Sequence, residues 1–140
     1  RVGRQGRAEL ARISIDLKTE GGKNPMSPAG ETKARDKILK PAELLVVSQA
    51  VDEDPDVAYE DYAAIACAVQ NIFLSLAAEG IGSKWSTGEV TTDPRTYALL
   101  GIDSAKERIV GFVWLGYSAV ENPPKSRRRK ALSDIYRQVP

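Results

Sequence analysis

With 140 residues, 42% of them hydrophobic and 28% charged, the chain is the size of one domain and can bury a core without a disulfide or metal to hold it. A formal net charge of +1 excludes a surface built throughout for nucleic acid. Histidine is absent, which rules out a Ser-His-Asp triad, a Cys-His pair and most zinc sites.

The single cysteine, Cys67, can form no internal disulfide and reads as a small core residue in a reducing compartment. No apolar run reaches the ~18–20 residues that cross a bilayer, and no signal peptide is visible, so a cytoplasmic location without a membrane partner is expected. The chain begins on Arg1 rather than Met, and it is expected to continue upstream.

Over 6–19, Leu10, Ile13 and Leu17 fall three and four apart, the spacing of an amphipathic helix, and Gly21 and Gly22 end it. Pro25, Ser27, Pro28 and Gly30 make a loop. A short polar helix is predicted over 31–39, stopping before Pro41, since the residue preceding proline avoids helical geometry. Leu44, Leu45, Val46 and Val47 form an unbroken apolar run suited to a strand covered on both faces.

After the acidic connection at 52–56, a long helix is predicted from about Ala58 to Gly80. Its inward positions are Tyr62, Ile65, Ala66, Val69, Ile72, Phe73 and Leu76, with Ala63, Ala64, Ala68 and Leu74 widening the stripe. Such a helix should be buried over most of its circumference, as a central or interface element. Residues 83–86 read as a short strand, and Asp93-Pro94 as N-cap and first residue of a helix ending before Gly101. A second buried strand is predicted over 108–117, with Gly111 and Gly116 as points of close approach. A polar tail then leads to a short helix over 131–137.

Two stretches could carry chemistry. Gly80 and Gly82 before Trp85 allow a tight turn with open amides beside a flat aromatic face. The plainer reading, which spacing alone favours because a lone Gly-x-Gly is a weak signal, is a helix cap followed by an edge strand whose tryptophan is core. In the tail, Lys125 and Arg127 alternate along an extended segment and could close on one phosphate, or simply be solvated. Glu60-Asp61 suit the start of a helix better than a hydrolytic pair. No metal-ligand cluster is present.

Taken in order, PAELLVVSQ, AAEGIGSKWSTGEV, DPRTYALLGI, RIVGFVWLGY and PPKSRRRK resemble the nitroreductase family of FMN-dependent oxidoreductases, in the small branch with Gly-x-Gly-x-x-Trp after its central helix. Each piece is weak, but the ordered set is specific. The resemblance implies an α+β fold, a three-layer α/β/α sandwich with a central mixed sheet and a long helix at a homodimer interface. It implies one domain over 1–140, with 118–140 as a C-terminal arm. It further implies FMN reduced by NADH or NADPH and reoxidised by nitroaromatics, quinones or related acceptors in a ping-pong cycle.

Carried onto matching positions, Trp85, Ser86 and Thr87 lie along the flavin ring, the amides of Thr87 and Gly88 face its redox-active nitrogen, and Lys125 and Arg127 grip the phosphate. No catalytic side chain is implied, because the flavin carries the chemistry. The family's Arg-Arg-Ser phosphate segment has no counterpart in Arg1-Val2-Gly3-Arg4, which leads us to expect a missing N-terminal portion of the domain. A non-catalytic flavin or nucleotide carrier of the same fold is the alternative.

Overall fold

In the computed structural model the described residues are 1–19, 25–119 and 130–139. They form helices α1 (Arg4–Thr19) and α2 (Pro28–Leu39), strand β1 (Glu43–Ala50), helix α3 (Pro55–Ala78) and strand β2 (Gly82–Ser86). Helices α4 (Glu89–Thr92) and α5 (Pro94–Leu100), strand β3 (Glu107–Gly116) and a single 3-10 turn (Leu132–Asp134) follow.

Local chemistry sets most boundaries. Ser27 caps α2, its hydroxyl accepting from the Gly30 amide, with Pro28 in the first turn. The helix therefore starts three residues before the predicted position. Asp54 caps α3 in the same way through the Asp56 amide. Asp93 caps α5, and Gly101 closes it in the left-handed conformation at φ 67°. The end of α3 is a Schellman arrangement: the Ile81 amide donates to the Leu76 carbonyl and the Gly80 amide to Ala77. Helix α4 was not foreseen, being a single turn, and the predicted helix over 131–137 shrinks to one 3-10 turn.

The sheet has the order β1-β3-β2, and both pairings are antiparallel. This corrects the expected mixed sheet among the described residues. On one face Leu44, Phe112 and Ile109 pack with Leu10 and Ala11 of α1 and Ile38 of α2, with Val46 and Trp114 against them. The Phe112 and Trp114 rings meet edge to face at 6.1 Å. A bulge sets this face: Val47 pairs with Gly111 but Ser48 with Ile109. The extra residue turns Ile109 toward the same side as Phe112, and its amide donates to the Tyr97 hydroxyl at 2.9 Å.

Helix α3 packs on β1 and β2 and contributes nothing to that cluster. Strand alternation assigns Leu45, Val47, Val113 and Trp85 to its side. The three layers are thus α1, α2, α4 and α5, then the sheet, then α3.

Helix α3 is not enclosed by the described residues. Val69 alone is buried, while Tyr62, Ile72 and Leu74 are exposed, Leu74 by 60%. Cys67, expected in the core, is exposed as well. The sheet formed by the described residues has three strands and covers one stripe of this 24-residue helix, so α3 is not a central element; burial as an interface element concerns a second copy of the chain. The bilayer reasoning also changes, since α3 is long and apolar enough to cross a membrane by length and composition.

Candidate functional site

Strand β2 carries the predicted loop into place. Lys84 pairs with Trp114 and Ser86 with Phe112, so both point to the α1 side, whereas Trp85 pairs with Val113 and points to α3. Beyond Ser86 the chain turns at Gly88, at φ 145° and ψ −179°, a conformation open to glycine alone. The Gly88 carbonyl accepts from the Thr91 amide at 2.8 Å and from its hydroxyl at 2.7 Å, which anchors the loop to α4. The amides of Thr87 and Gly88 find no acceptor among the described residues, and both residues are exposed.

This loop lines a cleft of about 140 Å³ with Lys18, Lys37, Val90 and Trp114. A second cleft of about 390 Å³ adjoins it, walled by Gly82, Lys84, Gly116, Tyr117 and Ser118. Trp114 and Lys37 belong to both, making one trough along the α1 face of β2. It has open amides at one end, an indole floor, and ammonium groups along its length. At the far end, Tyr117 and Ser118 lead toward the C-terminal arm. A larger hollow of about 780 Å³ lies between α1 and α2, but its charged walls include the mutually paired Glu9, Arg12 and Asp16. None of the predicted site residues lines it, so the trough is the better candidate.

The structure brings Ser86, Thr87 and Gly88 together on the trough. It places Trp85 behind the strand, with the indole over Gly111 on the α3 side. Lys125 and Arg127 lie outside the described residues. Trp114, Lys37 and Lys84 were missed. The signal for Lys84 was available in the alternation of Lys84 and Ser86 about Trp85, but Trp114 and Lys37 required the fold.

An ionic network ties α1 to the α4–α5 corner. Arg95 meets Asp93 at 2.9 Å and Asp16 at 3.3 Å, and Arg12 meets both Glu9 and Asp16. The hydrogen bond from Arg95 holds the Asp93 carboxyl below its ordinary pKa, and the Arg12 guanidinium does the same for Glu9.

This α/β/α sandwich, with an aromatic and cationic trough at its sheet edge, has known relatives. Residues 3–117 match the sequence model of the Nitroreductase family, and the chain belongs to that family. A protein of Bacillus subtilis (strain 168) named "Putative NAD(P)H nitroreductase YfhC" is 28% identical over 99 residues, which cover 71% of this chain and 49% of that protein. The chain thus spans about half the length of this curated relative.

Among solved structures, a nitroreductase-like family protein from Bacillus cereus superposes with a TM-score of 0.78 at 21% identity, over 97% of this chain and 67% of that one. A nitroreductase with bound FMN from Bacteroides fragilis NCTC 9343 gives 0.65 at 21% identity, over 94% of this chain and 70% of that one. At these identities the likeness establishes the α+β fold.

Proposed function

We propose that the complete protein is an FMN-dependent oxidoreductase that draws electrons from NADH or NADPH and reduces nitroaromatic, quinone or related acceptors, working as a homodimer. The observation that carries the reading is the trough along β2. Its five residues span ~13 Å, long enough for a planar ring at the loop and a polar tail running toward the arm. The chemistry of the walls fits FMN: open amides for the ring's polar edge, Trp114 as an apolar floor, and lysines for the anionic end. Family membership and the relatives named for NAD(P)H and FMN support it further.

In this reading the main chain of Ser86, Thr87 and Gly88 holds the ring, and Lys125 and Arg127 bind the phosphate. Bound FMN would supply hydride acceptance and release. The chain's own part is orientation and electrostatics, with the Thr87 and Gly88 amides aimed where negative charge collects. No acid–base pair is needed, which suits a chain without histidine. Trp85 acts from behind the strand. The exposed side of α3, with Tyr62, Ile72 and Leu74, is assigned to a second copy of the chain rather than to a bilayer or a nucleic acid.

The test is the visible spectrum and FMN uptake of the purified full-length protein, followed by NAD(P)H oxidation on adding a nitroaromatic or a quinone. Yellow protein that turns over is the expected result. Colourless protein that takes up no FMN sinks the proposal, and bound flavin without turnover transfers it to the carrier reading. Replacing Lys125 and Arg127 together by alanine should weaken FMN binding with the fold intact.

A further inference from the structure

Three locally unfavourable features meet at one point of β3. Gly111 sits in mid-strand, where glycine weakens a sheet and marks the close approach of another group. The bulge begins beside it, between the Val47–Gly111 and Ser48–Ile109 pairs. Across the ladder, the Trp85 indole Nε1–H is buried and finds no acceptor among the described residues. Orphaned buried donors are uncommon and call for a cause.

What Gly111 lacks shows why the indole can sit there. A Cβ built there would fall inside the envelope of Trp85 Nε1, come within 2.6 Å of Cδ1, and lie 3.1 Å from the Ser86 carbonyl oxygen. The missing side chain therefore leaves a notch that seats two things at once: the indole on the α3 side and the main chain of Ser86, from which the Thr87–Gly88 turn departs.

We propose that Gly111 is a positioning residue for the cofactor loop. Its notch seats the Trp85 indole, and the seated indole sets the path of the Ser86–Gly88 main chain. The link from this path to flavin affinity rests on the function proposed above, but the link from Gly111 to the loop does not. Trp85 then acts without touching the ring: it is a peg driven through the strand from the opposite face. A local fit of this kind governs the loop because, among the described residues, the Thr87 and Gly88 amides have no acceptor and the Gly88 carbonyl ties the loop to α4.

The experiment uses Gly111→Ala, Trp85→Ala and the double variant in the full-length protein. All three are followed by the Thr87 and Gly88 amide resonances in 1H–15N spectra and by FMN titration, and Gly111→Ala also by the Trp85 indole resonance. Trp114→Phe assigns the indole signals. We expect Gly111→Ala to expose the Trp85 indole to solvent exchange, move the two loop amides, and raise the FMN dissociation constant ~10-fold or more.

Because the added methyl collides with the indole, adding Gly111→Ala to Trp85→Ala should weaken FMN binding far less than it does alone. Loop resonances unmoved by Gly111→Ala overturn the proposal, as does an equal loss of affinity with and without Trp85. If the unaltered protein takes up no FMN, the flavin reading fails by itself and the amide resonances still decide the positioning role. Should Gly111→Ala not fold, Trp85→Leu, which empties the notch, must move the same two amides.

Discussion

Single residues govern the corners of the fold. Asp93 caps α5 through the Arg95 amide and also receives the Arg95 guanidinium. Replacing it with alanine removes the cap and should cost about 1 kcal/mol near neutral pH. The pH dependence has a definite sign. Arg95 lowers the folded-state pKa of Asp93, so this contribution is fully present above the unfolded value of ~3.9 and is lost as pH falls through the depressed folded value. Thermal melts of wild type and Asp93→Ala should therefore converge only in acid, and a gap that widens below pH ~4 would contradict the assignment.

At this scale the sequence was most legible. Asp93-Pro94 and Gly101 announce their roles because capping depends on a few adjacent atoms. Trp85 was readable only as two alternatives, because the face of the strand it takes depends on register. It is packed behind an edge strand, yet Ser86 and Gly88 beside it border the trough.

Among the elements, α3 departs most from its expected surroundings. Its apolar residues make a regular helix with a Schellman end, but three strands cannot cover its circumference. Leu74 is 60% exposed, so exchanging it for glutamate should leave the isolated chain within about 0.5 kcal/mol of its stability. If a second copy covers that side, Leu74→Glu should convert the full-length dimer to monomer in sedimentation velocity. An unchanged sedimentation coefficient would remove α3 from the interface.

Strand β3 shows the complementary case. Its composition announces a buried strand, and residues 109–113 are buried on both faces. The bulge that turns Ile109 into the core is invisible in sequence, because it depends on pairing with β1.

For the whole molecule, the core on the α1 face joins segments far apart in the chain, from Leu10 through Leu44 to Phe112. Phe112 is 1% exposed, and Phe112→Ala should destabilise the protein by about 3–5 kcal/mol, a large share of a typical domain's stability. Urea unfolding measures this, and a loss below about 1 kcal/mol would mean that the core repacks around the cavity. The same cluster backs the trough, because Trp114 packs against the core and also forms the trough floor.

By itself the sequence determined most of the elements, many of their ends and the loop that borders the trough. These follow from interactions between residues close along the chain: hydrophobic period, caps, glycine turns and the run of apolar strand residues. The tertiary structure alone decided which side of β2 faces the trough, that Lys37 and Trp114 complete it, that Gly111 seats Trp85, and that the described residues leave one side of α3 uncovered. Each depends on strand register and on what remains to pack against, and a one-residue shift in register would exchange Trp85 for Lys84.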